Sequence, residues 1–286
     1  MCFSKNGGLV IGAFDLRTAY PSGLPDSPPT TAQLVGVLFG FPGLYETPEG
    51  LRLKHCSHVL GVHPLYRDQG LGFVLKRAQW QMVRHQGIDL ITWTYDPLLS
   101  RNGYLNIHRL GAVCNIYHRQ AYGEMHDDLN VGLPSDRFQV DWWVESPRVF
   151  QRLSKQPRAR LDLAHFLAAG SPILNPSQVD PNGLPLPAPE SAITHQPDPQ
   201  QSPVVLVEIP ADFLALKAAD MQLALEWRLH TRTLFENLFE QGYLVTDFVF
   251  LAGTSSRSSY ARSFYALSHG ESTLLGINKN ILEENT

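Results

Sequence analysis

The 286-residue chain has little cysteine, no long apolar run and no surplus of positive charge, and each shortage removes a class of protein. Its 3 cysteines, Cys2, Cys56 and Cys114, are odd in number and widely spaced, which argues against a disulfide framework and for a reducing compartment. No stretch approaches the roughly 20 apolar residues of a membrane helix, and the N-terminal residues lack the apolar core of a secretory signal. A cytoplasmic location without a membrane partner is therefore expected. Lys and Arg total 23 against 27 Asp and Glu, a net charge of -4, and the basic residues are scattered, so no nucleic-acid partner is expected. What remains is an ordinary globular composition, 43% hydrophobic and 17% charged, able to bury a core.

Short apolar segments bounded by Gly and Pro predict strands at Leu9–Phe14, Gln33–Gly40 and Leu51–Val62, joined as an antiparallel meander, with a Pro-rich turn at Pro21–Pro29 between the first two. From Leu71 the period becomes helical: Leu71, Val74, Leu75, Ala78, Met82 and Val83 share a face, and Gly87 stands where a helix would end. Ile88–Tyr95 reads as a strand stopped by Asp96-Pro97, which completes a βαβ unit. A shorter helix is predicted over Leu98–Leu110, and strands over Val113–Tyr117 and Arg137–Val144. Segment 171–203 is studded with proline among Ser, Gln, Asn and Asp and reads as a linker or surface excursion. A strand at Val204–Ile209, a long helix over Asp212–Gln241 and strands at Val245–Leu251 and Ser263–Leu267 follow. The expected division is thus residues 1–148, a Pro-rich 149–203, and a C-terminal strand-helix-strand region over 204–286.

The segment richest in chemistry is Leu60–Gly72, where a strand runs into Arg67-Asp68-Gln69-Gly70-Leu71-Gly72. Glycines two residues apart permit a tight turn that brings backbone N–H groups to an anion at a helix start, where the dipole also favours negative charge. No Lys-Ser/Thr pair follows Gly72, which excludes a P-loop nucleotide site. His55, Cys56, His58 and His63 invite a zinc reading, but alternation sends His55 and His58 to opposite strand faces and no Cys-x-x-Cys pair is present. No metal is expected.

In its strand-turn-helix-strand context, Arg67–Gly72 resembles the Arg/Gln-x-x-Gly-x-Gly/Ala signature of the GNAT acyltransferase superfamily. Leu60–Pro64, Ile88–Thr94, Ser100–Asn102, Ile209–Phe213 and Trp227–Thr231 further resemble a little-characterised bacterial and archaeal branch of predicted acetyltransferases. The resemblance implies an α/β fold with a mixed, mostly antiparallel sheet, a central splayed parallel strand pair and flanking helices. It also implies acetyl-CoA or another acyl-CoA as co-substrate, with the pantetheine arm lying between the splayed strands. On that pattern the backbone of Arg67, Asp68, Gln69, Gly70, Leu71 and Gly72 would hold the pyrophosphate, while Leu60, Gly61 and Val62 would line the arm and Asn102 would touch CoA. The usual N-terminal strand and helices are missing from this pattern, since the chain reaches what resembles the second strand by Leu9. The position of the usual acid, a Tyr near the end of the helix before Leu110-Gly111, is occupied by Ile107.

The implied activity is transfer of an acetyl or other small acyl group from CoA to an amine by direct attack; the alternative is a catalytically degenerate CoA-binding or interaction protein. Amine acylation needs a base, and His58, on the strand before the turn, is the first candidate because a neutral imidazole can take the proton. Tyr104 and Tyr117 are the candidate substitutes for the missing acid. Asp96 is expected to cap the next helix rather than to react. Arg228 and His230, in the C-terminal helix, either belong to a packed helix face or face the acceptor. A small-molecule amine is the expected partner, and homo-oligomerisation is left open.

Overall fold

The computed structural model describes residues 7–16, 33–123, 132–154, 161–189, 197–253 and 260–270. Cys2 and the turn at Pro21–Pro29 lie outside them. Tertiary contacts divide the chain into two compact units, one of residues 1–93 with 143–145, the other of residues 94–142 with 146–286.

In the first unit, β1 (Leu9–Asp15), β2 (Gln33–Thr47) and β3 (Gly50–Val62) form the predicted antiparallel meander. A short 3-10 turn, Pro64–Tyr66, leads from β3 to α1 (Leu71–His85), and β4 (Leu90–Tyr95) then returns parallel to β3. The α1 helix differs from its predicted face. Its buried residues are Leu75, Lys76, Gln79, Trp80 and Val83, whereas Val74 is 58% and Met82 43% exposed. The face is rotated because Trp80 is drawn inward, its indole Nε1 donating to Val144 O at 2.8 Å, and Lys76 and Gln79 come with it. Arg84 fixes the last turn through a 2.6 Å ion pair with Glu145.

In the second unit, α2 (Ser100–Gly103) continues as a π-helical stretch, Tyr104–Arg109, where one regular helix is predicted. Glycine forces part of this geometry: a Cβ on Gly103 would meet the Phe248 ring and Tyr265 Oη at 2.7 Å. β5 (Val113–His118) and β6 (Arg137–Trp143) follow, then α3 (Pro147–Leu153), α4 (Leu163–Ala168), the two-residue strands β7 (Gln178–Val179) and β8 (Pro185–Leu186), and β9 (Val204–Pro210). The predicted long helix is two: α5 (Phe213–Ala219) and α6 (Met221–Glu240). They part at Asp220, whose extended backbone ends one and whose carboxylate caps the other by accepting from Leu223 N at 2.9 Å. β10 (Leu244–Leu251) and β11 (Arg262–Ser268) complete the order β6-β5-β10-β11-β9, every pair antiparallel. Phe138, Phe235, Phe248 and Tyr265, all fully buried, pack edge to face at its centre. Within the Pro-rich segment, Ile173 bridges Leu206 of β9, and Asn175 exchanges hydrogen bonds with the Glu208 backbone at 2.8 and 2.9 Å.

Over the described residues the chain is therefore mixed α/β, with mostly antiparallel strands and β3 and β4 as a parallel pair, as the resemblance implies.

Candidate acyl-CoA site

The turn after β3 is held by its own side chains. Arg67 Nε donates to Val62 O at 3.3 Å, Gln69 Nε2 donates to Leu65 O at 3.0 Å, and Tyr66 Oη donates to Asp15 Oδ2 at 2.7 Å. Gly70 is the residue before α1 and takes φ 78°, a left-handed conformation that side-chain-bearing residues adopt at a cost, while Asp68 adopts φ 62°. Gly70 supplies no side-chain cap, the first turn of α1 has no acidic residue, and nothing lies within 4 Å of where a Gly70 Cβ would stand. The helix therefore starts on a glycine that supplies no side-chain cap, with the positive end of its dipole at the turn and open space where a Gly70 side chain would stand.

The strand leading to the turn has a second useful property. His63 N donates to Val35 O, so by antiparallel alternation Gly61 and Val59 also direct their backbone groups to β2, and Leu60 and Val62 direct theirs away from it. The parallel ladder between β3 and β4 covers only His55–Ile91 and Cys56–Thr92. Beyond it β3 runs on to Val62 without a parallel partner, and Leu60 is 36% exposed. A line of backbone amides thus leads from the point where the strands part to the turn.

His58 stands at an irregularity that the sequence conceals. Val59 pairs with Phe39 and Ser57 with Gly40, which makes His58 the extra residue of a β-bulge and interrupts the alternation that would align it with Val62. Its ring is exposed and lies 6.1 Å from that of Phe39 and 5.7 Å from that of Phe41. His55, by contrast, is fully buried against Gly40, where a Cβ would collide with its ring. Burial, and then the neighbouring Lys76, lower the His55 pKa to about 4.

Sequence reasoning missed the cluster to which His55 belongs. Lys76 Nζ donates to Ser57 Oγ at 2.8 Å, Ser57 Oγ donates to Gln79 Oε1 at 3.2 Å, and the Lys76 amine sits 3.4 Å from the centroid of the Trp93 ring. Burial lowers the pKa of Lys76 well below 10.5 and drives the amine toward its uncharged form.

In the second unit, Asn102 lies in α2 and Tyr104 opens the π-helical stretch, stacked at 4.9 Å on His108. Tyr117, on β5, donates its hydroxyl to Asp136 Oδ2 at 2.8 Å, and burial raises its pKa well above 10. Tyr104 and Tyr117 thus engage different partners. Asp96 caps the segment toward α2 by accepting from Leu98 N at 2.9 Å, and it also receives Nη2 of Arg228. Arg228 is 1% exposed, with Nε and Nη1 unpartnered. His230, also buried, lies 3.2 Å from Asn175 Nδ2, and burial lowers its pKa to about 4. Ile107, at the position of the usual acid, is wholly buried. Among the described residues no group of three or more His, Cys, Asp or Glu could hold a metal.

No family model matches this sequence, and no curated protein matches it. Solved structures with partial similarity include the NatC complex bound to Gag peptide and CoA, at 20% identity over 46% of this chain and 69% of that one, TM-score 0.32. Arabidopsis thaliana NAA60 in complex with a bisubstrate analogue is 15% identical over 48% of this chain and 76% of its own, TM-score 0.36. A GNAT family acetyltransferase from Elizabethkingia anophelis with acetyl-CoA bound is 12% identical over 48% and 97%, TM-score 0.33.

Proposed function

We propose that this protein binds an acyl-CoA thioester and transfers its acetyl or other small acyl group to an amine. The observation that carries the reading is a strand whose outward backbone amides end at a helix start entered through a left-handed glycine. This arrangement suits a ligand with an anionic head and an extended amide-bearing arm. The N–H groups from Arg67 to Gly72 hold the pyrophosphate, and the main-chain groups of Leu60 and Val62 meet the pantetheine amides. One of those N–H groups polarises the thioester carbonyl, so attack by the amine needs no covalent enzyme intermediate. His58 is the base that takes the proton from the attacking amine.

The second reading, a CoA-binding protein without turnover, is favoured by Ile107 at the usual acid position and by the engagement of the Tyr117 hydroxyl with Asp136. Calorimetry with acetyl-CoA tests the shared part, and absence of binding at millimolar ligand refutes both. Thiol release from acetyl-CoA across a panel of amines separates the two readings: turnover supports transfer, and binding without turnover supports the second.

A further inference from the structure

Among the described residues of the first unit, three buried side-chain polar atoms have no hydrogen-bond partner: Nδ1 and Nε2 of His55, and Nε2 of Gln79. Both side chains are linked to Lys76, itself 2% exposed: its charge acts on His55, and Ser57 Oγ joins its amine to Gln79. An apolar side chain at this position would fill the same space without assembling a polar cluster in the core. The amine adds two directed contacts, to Ser57 Oγ and to the Trp93 ring. Those two residues have a special place in the sheet. Cys56–Thr92 is the last parallel pair of β3 and β4, and Ser57 and Trp93 are the next residue of each strand. The lysine therefore grips both strands at the first step after their pairing ends.

We propose that Lys76 is the wedge of this fork, a positioning residue that keeps β3 from pairing further with β4 and so holds open the place of the pantetheine arm. The proposal rests on the acyl-CoA reading above. From Val62 back to Ser57, β3 spans about 17 Å at roughly 3.4 Å per residue, of the order of an extended pantetheine arm. A pyrophosphate held by the turn would thus bring the thioester to the fork, where loss of the wedge would act. The cradle lies at the other end of the arm and does not depend on it.

The test compares two ligands by calorimetry. CoA needs both cradle and arm site, whereas 3′-phosphoadenosine 5′-diphosphate needs the cradle alone. Lys76→Met keeps the apolar stem and removes the amine. It is expected to hold the nucleotide within twofold of wild type and to lose tenfold or more in CoA affinity. CoA affinity within twofold of wild type overturns the wedge, as does a parallel loss of both ligands in a protein with a native circular-dichroism spectrum. Ser57→Ala, which removes the anchor and leaves the lysine, covers the case in which the first variant fails to fold. It is expected to weaken CoA threefold or more with the nucleotide unchanged, and no selective loss overturns the proposal. If wild type binds neither compound, the acyl-CoA reading fails and the wedge with it.

Discussion

Acidification should destabilise the first unit through His55. The imidazole is completely buried, both ring nitrogens lack partners, and its pKa falls from 6.5 to about 4. Above pH 6.5 the ring is neutral in both folded and unfolded chains and contributes no pH dependence. As pH falls below 6.5 the unfolded chain takes up a proton that the folded one refuses, so stability is lost steadily and the loss levels off near pH 4. At about 1.4 kcal/mol for each tenfold difference in proton affinity, the loss between those limits is about 3 kcal/mol. His55→Leu, close in volume, removes the titration. Amide hydrogen exchange in β3 and α1, followed from pH 7 to pH 4, reads the stability of this unit separately from the other. Wild type should lose about 3 kcal/mol more than the variant over that range. Equal pH dependence in the two proteins would show that the folded ring accepts its proton at an ordinary pH and would refute the assignment.

Other perturbations follow from the same contacts. Gly70→Val should leave the protein folded, since nothing lies within 4 Å of the new Cβ, at a cost of about 1–2 kcal/mol for the left-handed backbone. It should weaken acetyl-CoA binding at least tenfold in calorimetry, and unchanged affinity would count against the cradle. Asp96→Ala strands the buried Arg228 guanidinium and should cost about 3–5 kcal/mol in urea unfolding; Asp96→Ala with Arg228→Met should recover most of that loss, and no recovery would place the cost elsewhere. His58→Ala should lower turnover of an identified amine by about 10²–10⁴ with acetyl-CoA affinity intact. A change under twofold would remove His58 as the base.

Local features were legible in the sequence and tertiary ones were not. The turn over Arg67–Gly72 was readable because its glycines act through their own backbone. The capping role of Asp96 was readable because a carboxylate before a helix has one common use. The bulge at His58 was hidden, since it is a mismatch of count between β3 and β2 that neither strand reveals alone. Lys76 and Gln79 were hidden for a different reason: polar residues on an amphipathic helix are read as solvated, and only Trp80, seated against Val144, rotates this face inward. The break at Asp220 was hidden as well, because one residue between two helical patterns is below what periodicity can resolve.

The short ladder between β3 and β4 has a consequence for the protein without its ligand. A strand that leaves its parallel partner after Cys56 carries a backbone edge that no strand pairs, and it lies inside the sheet, not at the rim. On the acyl-CoA reading, loading the site is equivalent to adding a strand, and the unloaded protein is the form open to strand addition by other chains.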